Sequence, residues 1–133
     1  REIGSGSGYQ TSILAELAGA VYTIERFPEL SLKAQTLLGE LGYSNIHYKV
    51  ADGTLGWKEE APFDRILLTA YSNRVPQPLL DQLAAGGKLL LPLGEMFSQM
   101  LTLVEKREKS YISRDVCPCV FVPLVGRYGV RSA

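Results

Sequence analysis

The chain has 133 residues, enough for one domain with a core of its own. Lys+Arg and Asp+Glu number 14 each, so the formal net charge is zero, and with no basic stripe the chain is not expected to bind nucleic acid by neutralising phosphates. No apolar run approaches the roughly 20 residues a membrane span needs, and no signal peptide precedes the first strand, so the expectation is a cytoplasmic protein without a membrane partner.

In chain order, Arg1–Ile3 reads as the remnant of a first strand, which implies a missing N-terminal segment and an exposed, association-prone strand. Gly4, Gly6 and Gly8 stand at every second position between that strand and a helical pattern. A tight turn feeding a helix N-terminus offers free backbone N–H groups and the helix dipole to an anionic ligand group. Glycine lets backbone approach a ligand closely. A dinucleotide fingerprint needs its third glycine one position later, where this chain has Tyr9. Gly-x-Gly-x-Gly therefore fits S-adenosylmethionine better than a nicotinamide dinucleotide.

Tyr9–Ala18 is a predicted helix burying Ile13, Leu14 and Leu17, and Val21–Glu25 a second strand. Pro28 opens a helix along which Leu30, Ala34, Leu37, Leu38 and Leu41 repeat until Gly42. Ile46–Val50 and Phe63–Thr69 read as strands three and four, Pro78–Leu83 as a short helix closed by Gly86-Gly87, and Lys88–Leu93 as strand five. Gln99–Lys106, a polar turn at Arg107–Ser110 and Tyr111–Val116 form a hairpin, followed by an edge segment Val120–Leu124 and a loose tail, Gly126–Ala133. Cys117 and Cys119 flank one proline, too close for an unstrained disulfide, and with only His47 besides they form no zinc set. No metal is expected. The alternation of apolar strands and helices argues for an α/β, doubly wound, mostly parallel sheet with a C-terminal antiparallel hairpin, all in one domain over residues 1–133.

In such a sheet, ligands bind outside the carboxyl ends of the strands. Glu25 ends strand two, where an acid can face ribose hydroxyls. Asp52-Gly53 follows strand three, where a carboxylate could accept from an adenine amino group or simply form a turn. Thr69 ends strand four. Trp57 is expected to pack beneath its loop, and His47 to face solvent. No nucleophile–base pair and no paired acid/base carboxylates stand out.

The run Gly4-Ser5-Gly6-Ser7-Gly8-Tyr9-Gln10, Asp52-Gly53 with Gly56-Trp57, Ala61-Pro62-Phe63-Asp64 and Val122-Pro123-Leu124 resemble bacterial protein-L-isoaspartate O-methyltransferases. The resemblance covers nearly the whole chain and implies a Rossmann-like class I methyltransferase fold. It further implies S-adenosylmethionine as methyl donor, S-adenosylhomocysteine as product, and as acceptor the carboxylate of L-isoaspartyl residues in damaged peptides and proteins. Carried onto this sequence, Gly4, Ser5, Gly6, Ser7 and Gly8 would hold the methionine moiety, with Glu2 also on the cofactor side. Glu25 would hold the ribose, Asp52 and Gly53 the adenine. Thr69 and Ala70 would line the transfer crevice, and Tyr71, Val122, Pro123 and Leu124 would meet the peptide. The family's Ser-containing loop, and a helix, would precede Arg1, so no catalytic residue is assigned. Where the family has a run of small alanines this chain has Ala70-Tyr71-Ser72-Asn73, and the bulk of Tyr71 would narrow the acceptor groove. The alternatives are a non-catalytic S-adenosylmethionine-binding module, a methyltransferase for another small-molecule or protein acceptor, and a nicotinamide dehydrogenase.

Overall fold

The structure, a computed structural model, describes residues 1–130. The strands are β1 (Glu2–Ile3), β2 (Val21–Glu25), β3 (Ile46–Val50), β4 (Phe63–Leu68), β5 (Leu83–Glu95), β6 (Ser98–Lys106) and β7 (Tyr111–Cys119). The α-helices are α1 (Tyr9–Leu17), α2 (Pro28–Glu40) and α3 (Gln77–Asp81), and single 3-10 turns occupy Gly53–Leu55 and Lys58–Glu60. All seven strands form one sheet in the order β3-β2-β1-β4-β5-β6-β7. β1 to β5 run parallel, and β5, β6 and β7 pair antiparallel. This is the doubly wound α/β sheet with a C-terminal hairpin that the sequence pattern implies. The chain leaves β1 toward β2 on one side and returns to β4 on the other, so the order reverses at β1 and opens a crevice there.

The expectation of an exposed first strand is corrected by this topology: β1 is central, with Glu2 at 0% and Ile3 at 3% exposure. Cross-strand partners share a face, and the register sorts the two faces. Ile24, Ile3 and Leu68 form one row, Ile66, Leu89 and Val104 the next, and both belong to the main core with Leu79 of α3, Leu83, Leu91 and Leu124. On the opposite face the row is Thr23, Glu2, Leu67, Leu90, Leu103.

Both long helices turn differently from the sequence reading. α1 buries Thr11 and Ala15, leaves Leu14 half-buried, and exposes Ile13 and Leu17. The cause is polar: Glu2 beneath it needs donors, and Thr11 supplies one, which sets the rotation of the helix. α2 buries Ser31, Ala34 and Leu38, while Leu30, Leu37 and Leu41 are exposed. Its Ala34 and Leu38 meet the glycine loop, where a Cβ on Gly8 would stand 3.2 Å from each.

Three further boundaries move. Gly86-Gly87 does not cap a helix. It lies inside β5, where Phe63 pairs Leu83 but Arg65 already pairs Lys88, so the extra residues bulge out. Val120–Leu124 forms no strand, only a bridge of Pro123 with Tyr71. The tail is not loose as far as it is described: Arg127 N donates to Asp52 Oδ2 at 2.8 Å, Tyr128 N to Thr54 Oγ1 at 3.1 Å, and Val130 N to Leu124 O at 2.8 Å. Residues 131–133 lie outside the description. Both cysteines are free on β7. Among the described residues no helix is long and apolar enough to cross a membrane.

Candidate functional site

A cavity of about 470 Å³ opens at the carboxyl ends of the central strands, a size within the usual range of small-molecule sites. Gly4 and Gly6 come from the loop after β1, Glu25 to Phe27 from the end of β2, Gly53 from the loop after β3, and Thr69-Ala70 from the end of β4. Val122 to Val125 form the far wall, and Leu30 of α2 completes the rim. A larger hollow, about 860 Å³, lies at the opposite ends of the strands among Arg1, Glu60, Asp64 and Arg65. It is far from the glycine loop and gathers none of the predicted site residues.

The glycine loop divides its labour. Gly4 has φ +97°, and a Cβ there would collide with the Thr69 hydroxyl. That hydroxyl lies 2.8 Å from Gly4 O and 3.0 Å from Ile3 O, so Thr69 fastens β4 to the loop while its body lines the cavity. Gly6 has φ +55° and open space where a Cβ would be, which keeps its backbone accessible from the cavity. Gly8 has φ +89° and does not line the cavity; its missing side chain makes room for α2. Ser5 is buried with its hydroxyl turned inward to Thr23, 2.5 Å away, and Ser7 is exposed at the crest.

Glu25 is the polar centre of the cavity. It is 7% exposed, and its carboxylate accepts from Gly6 N through Oε1 and from Phe27 N through Oε2, both at 3.0 Å. Each oxygen thus uses one lone pair and keeps another. A carboxylate held this way presents two acceptors side by side, the donor-set complement of a vicinal diol.

Other predicted residues have been drawn into scaffolding. Asp52 caps the 3-10 turn, with Oδ1 accepting from Thr54 N at 2.9 Å and Thr54 Oγ1 at 2.6 Å, and Oδ2 from Arg127 N. Its neighbour Gly53 reaches the cavity, packed so tightly on Ile3 that a Cβ would collide. Glu2 is fully buried below the loop and outside the lining. Tyr71 is 3% exposed and its side chain does not enter the cavity, contrary to the expected narrowing. Its backbone instead holds the far wall, donating to Val122 O and accepting from Leu124 N, both at 2.8 Å. Leu124 faces the core, and Val122 is exposed. Trp57 packs edge-on against Tyr22 beneath its loop, and His47 stacks on Tyr22 from the surface.

Sequence reasoning missed Arg26, Phe27, Leu30 and Val125 in the lining. The signal was present for the first two, which stand between an acid ending a strand and the proline opening a helix. It also missed two buried glutamines that pin loops to the frame. Gln82 accepts from Trp57 N at 2.9 Å and donates to Leu55 O at 2.9 Å, and Gln99 accepts from Phe121 N at 2.7 Å. Among the described residues no group of three or more His, Cys, Asp or Glu is placed to hold a metal.

Comparison with known proteins bears on this geometry. The chain matches the family profile of protein-L-isoaspartate(D-aspartate) O-methyltransferase over residues 1–129. A protein-L-isoaspartate O-methyltransferase of Geobacter metallireducens is 53% identical over 129 residues, covering 96% of this chain and 60% of its own length. A solved structure of a protein-L-isoaspartate O-methyltransferase superposes with a TM-score of 0.88 at 25% identity, covering 96% of this chain and 42% of that one. A Plasmodium falciparum chain described as a candidate enzyme of the same kind, in complex with S-adenosyl-L-homocysteine, superposes with a TM-score of 0.74 at 25% identity, covering 93% of this chain and 64% of that one. The chain spans about 60% of the length of the curated relatives it matches.

Proposed function

The chain belongs to the protein-L-isoaspartate(D-aspartate) O-methyltransferase family, and on that premise we propose that it carries the cofactor-binding domain of an S-adenosylmethionine-dependent enzyme that methylates the carboxylate of L-isoaspartyl residues in damaged proteins. The observation that carries the reading is Glu25, nine-tenths buried beside the glycine loop, its two oxygens each held by one backbone N–H and each with a lone pair left for a ribose hydroxyl. The cavity also suits the rest of the ligand: apolar walls from Ile3, Ile24 and Leu124 and few polar groups.

In this reading the backbone of Gly4 to Gly8 surrounds the methionine moiety, with Ser5 and Gly8 serving the shape of the loop. Gly53 lies against the adenine, and Asp52 holds that turn in place. Thr69 and Ala70 line the crevice between the cofactor and Val122-Pro123-Leu124, the wall nearest the acceptor peptide. Bound S-adenosylmethionine supplies a methyl group already activated on a sulfonium. The acceptor carboxylate, with an ordinary pKa near 4, is ionised at pH 7 and needs no general base. The protein's part is therefore alignment and exclusion of water, which for well-oriented groups is worth up to roughly 7–11 kcal/mol. The absence of a nucleophile–base pair from the sequence agrees with that division of work. We further take residues 1–133 as one domain acting in the cytoplasm, with isoaspartyl proteins as partners.

The test is transfer of labelled methyl from S-adenosylmethionine to an isoaspartyl peptide, with the normal aspartyl peptide as control, beside calorimetric titration of S-adenosylhomocysteine. Base-labile label on the isoaspartyl peptide alone is the expected result. Binding of S-adenosylhomocysteine with no transfer would reduce the reading to a binding module. The absence of both binding and transfer would overturn it.

A further inference from the structure

Below the glycine loop lies a polar cluster that the proposed function leaves idle. Glu2 of β1 is 0% exposed, and so are Thr11 of α1 and Thr23 of β2. Glu2 Oε1 accepts from the Thr11 hydroxyl and, at 2.8 Å, from the Thr23 hydroxyl; Oε2 is buried without a partner. Thr23 Oγ1 also lies 2.5 Å from Ser5 Oγ. Ser5 precedes Gly6, whose N–H is on Glu25. Neither threonine lines the cavity, nor does Glu2.

Proton counting fixes the direction of this chain. A threonine hydroxyl has one proton to give. Thr23 gives its proton to Glu2, so at the contact with Ser5 it must accept. Ser5 therefore donates inward. Its hydroxyl is spent on the frame and can offer only a lone pair to anything in the cavity. The order is Ser5 to Thr23 to Glu2, with Thr11 donating to the same oxygen from the helix above. Burial pushes the Glu2 carboxyl above the ordinary carboxylate range, against the pull of the two hydroxyls. A neutral carboxyl carrying its proton on Oε2 still leaves Oε1 free to accept twice.

We propose that Thr23, Glu2 and Thr11 are positioning residues that hold the glycine loop in its binding shape through Ser5, and that Glu2 is an acceptor beneath the loop rather than a charged ligand of the cofactor. The role in binding rests on the proposed function; the ordering of the loop does not. The physical ground is the asymmetry of buried hydrogen bonds, in which removing one partner strands the other at the full cost of its desolvation. Thr23 is shared by Glu2 and Ser5, so its loss strands the Ser5 hydroxyl and leaves Glu2 Oε1 with Thr11 alone.

The experiment compares wild type, Thr23→Val, Thr23→Ser and Glu2→Gln by amide hydrogen exchange at Gly6 in the free protein and by calorimetric affinity for S-adenosylhomocysteine. Thr23→Val should speed Gly6 exchange and weaken the affinity, each by about tenfold, and Thr23→Ser should restore both. Glu2→Gln keeps an oxygen for both threonines, so its affinity loss should be smaller than that of Thr23→Val. The reverse order would mean a charged ligand and overturn the assignment of Glu2. Unchanged Gly6 exchange in Thr23→Val overturns the proposal whether or not the product binds. If wild type fails to bind the product while Gly6 exchange responds as stated, the proposed function falls and the loop assignment stands. Should Thr23→Val not fold, Ser5→Ala removes only the outermost link and must show the same acceleration, and its absence overturns the proposal.

Discussion

Along the row Thr23, Glu2, Leu67, Leu90 and Leu103, paired across β2, β1, β4, β5 and β6, the polar end is fully buried while the three leucines are only half-buried. The difference is the cover above. α1 lies over the polar end with Thr11 and Ala15 turned down, whereas the leucines floor a groove of about 400 Å³ edged by Leu14, Leu17, Arg65 and Lys88. Burial on this face thus follows where a helix lands, not how apolar the strand is. Parallel strands that are apolar on both faces are otherwise covered on both. At the polar end Thr11 and Thr23 both donate to one Glu2 oxygen, and the same network reaches the loop that shapes the cavity.

The largest effect that could break this comparison comes from two consecutive residues. Leu89 and Leu90 are neighbours in β5 on opposite faces, the first 0% exposed and the second half-buried. Leu89→Ala should cost about 3–5 kcal/mol through lost burial and a cavity, and Leu90→Ala about 1–2 kcal/mol, because its groove is already open to water. Urea denaturation measures both. Equal losses would mean that the second face is covered in solution.

Next in size is a pair within the glycine loop. Gly4→Ala meets both a left-handed φ and the Thr69 hydroxyl, whereas Gly6→Ala meets only the φ, with open space beyond. We expect a stability loss of about 2–5 kcal/mol at Gly4 and about 1 kcal/mol at Gly6. The ligand should reverse the ranking in relative terms: Gly6→Ala, nearly as stable as wild type, should still lose affinity for S-adenosylhomocysteine, because Gly6 lines the cavity and no protein atom shields a methyl added there. Unimpaired binding by Gly6→Ala would remove that glycine from the site.

These contrasts also mark what the amino-acid pattern could carry. The positions of the strands along the chain, the glycine loop, the place of Glu25 at a strand end and the hairpin were legible because each rests on local signals: glycine spacing, a Pro at a helix start, an acid at a strand end. Which side of a helix faces the sheet was not. Leu17, Leu37 and Leu41 fit an apolar stripe, yet the buried stripes are Thr11-Ala15 and Ser31-Ala34-Leu38. A buried carboxylate and a close approach to Gly8 chose them, and both are set by residues distant in sequence. Gly86-Gly87 reads locally as a helix stop but serves a bulge, because the partner strand β4 decides the register. Asp52 and Tyr71 stand at the positions expected of site residues, and their roles in the frame follow from partners at Arg127 and at Val122 and Leu124. Polar staples such as Thr23, Gln82 and Gln99 carry no spacing motif, so only the assembled sheet reveals them.

The smallest effect concerns acid, and it isolates the polar end of the row. Burial raises the Glu2 carboxyl above its ordinary 4.5. As pH climbs past 4.5 the unfolded chain releases this proton first, so the folded state holds more protons and the slope of stability with pH is negative. The contribution is fully present below 4.5 and is lost as pH rises through the folded-state value. Glu2→Gln removes the titrating proton but keeps an acceptor, so the difference in stability between wild type and Glu2→Gln, followed by urea denaturation, should shift against wild type as pH rises above 4.5. Leu67→Gln, placed on the same row outside the network, should leave the wild-type pH slope in place. If the Glu2→Gln difference stays flat with pH, the carboxyl is ionised throughout, and the buried end of the row is held by charge instead of by a neutral acceptor.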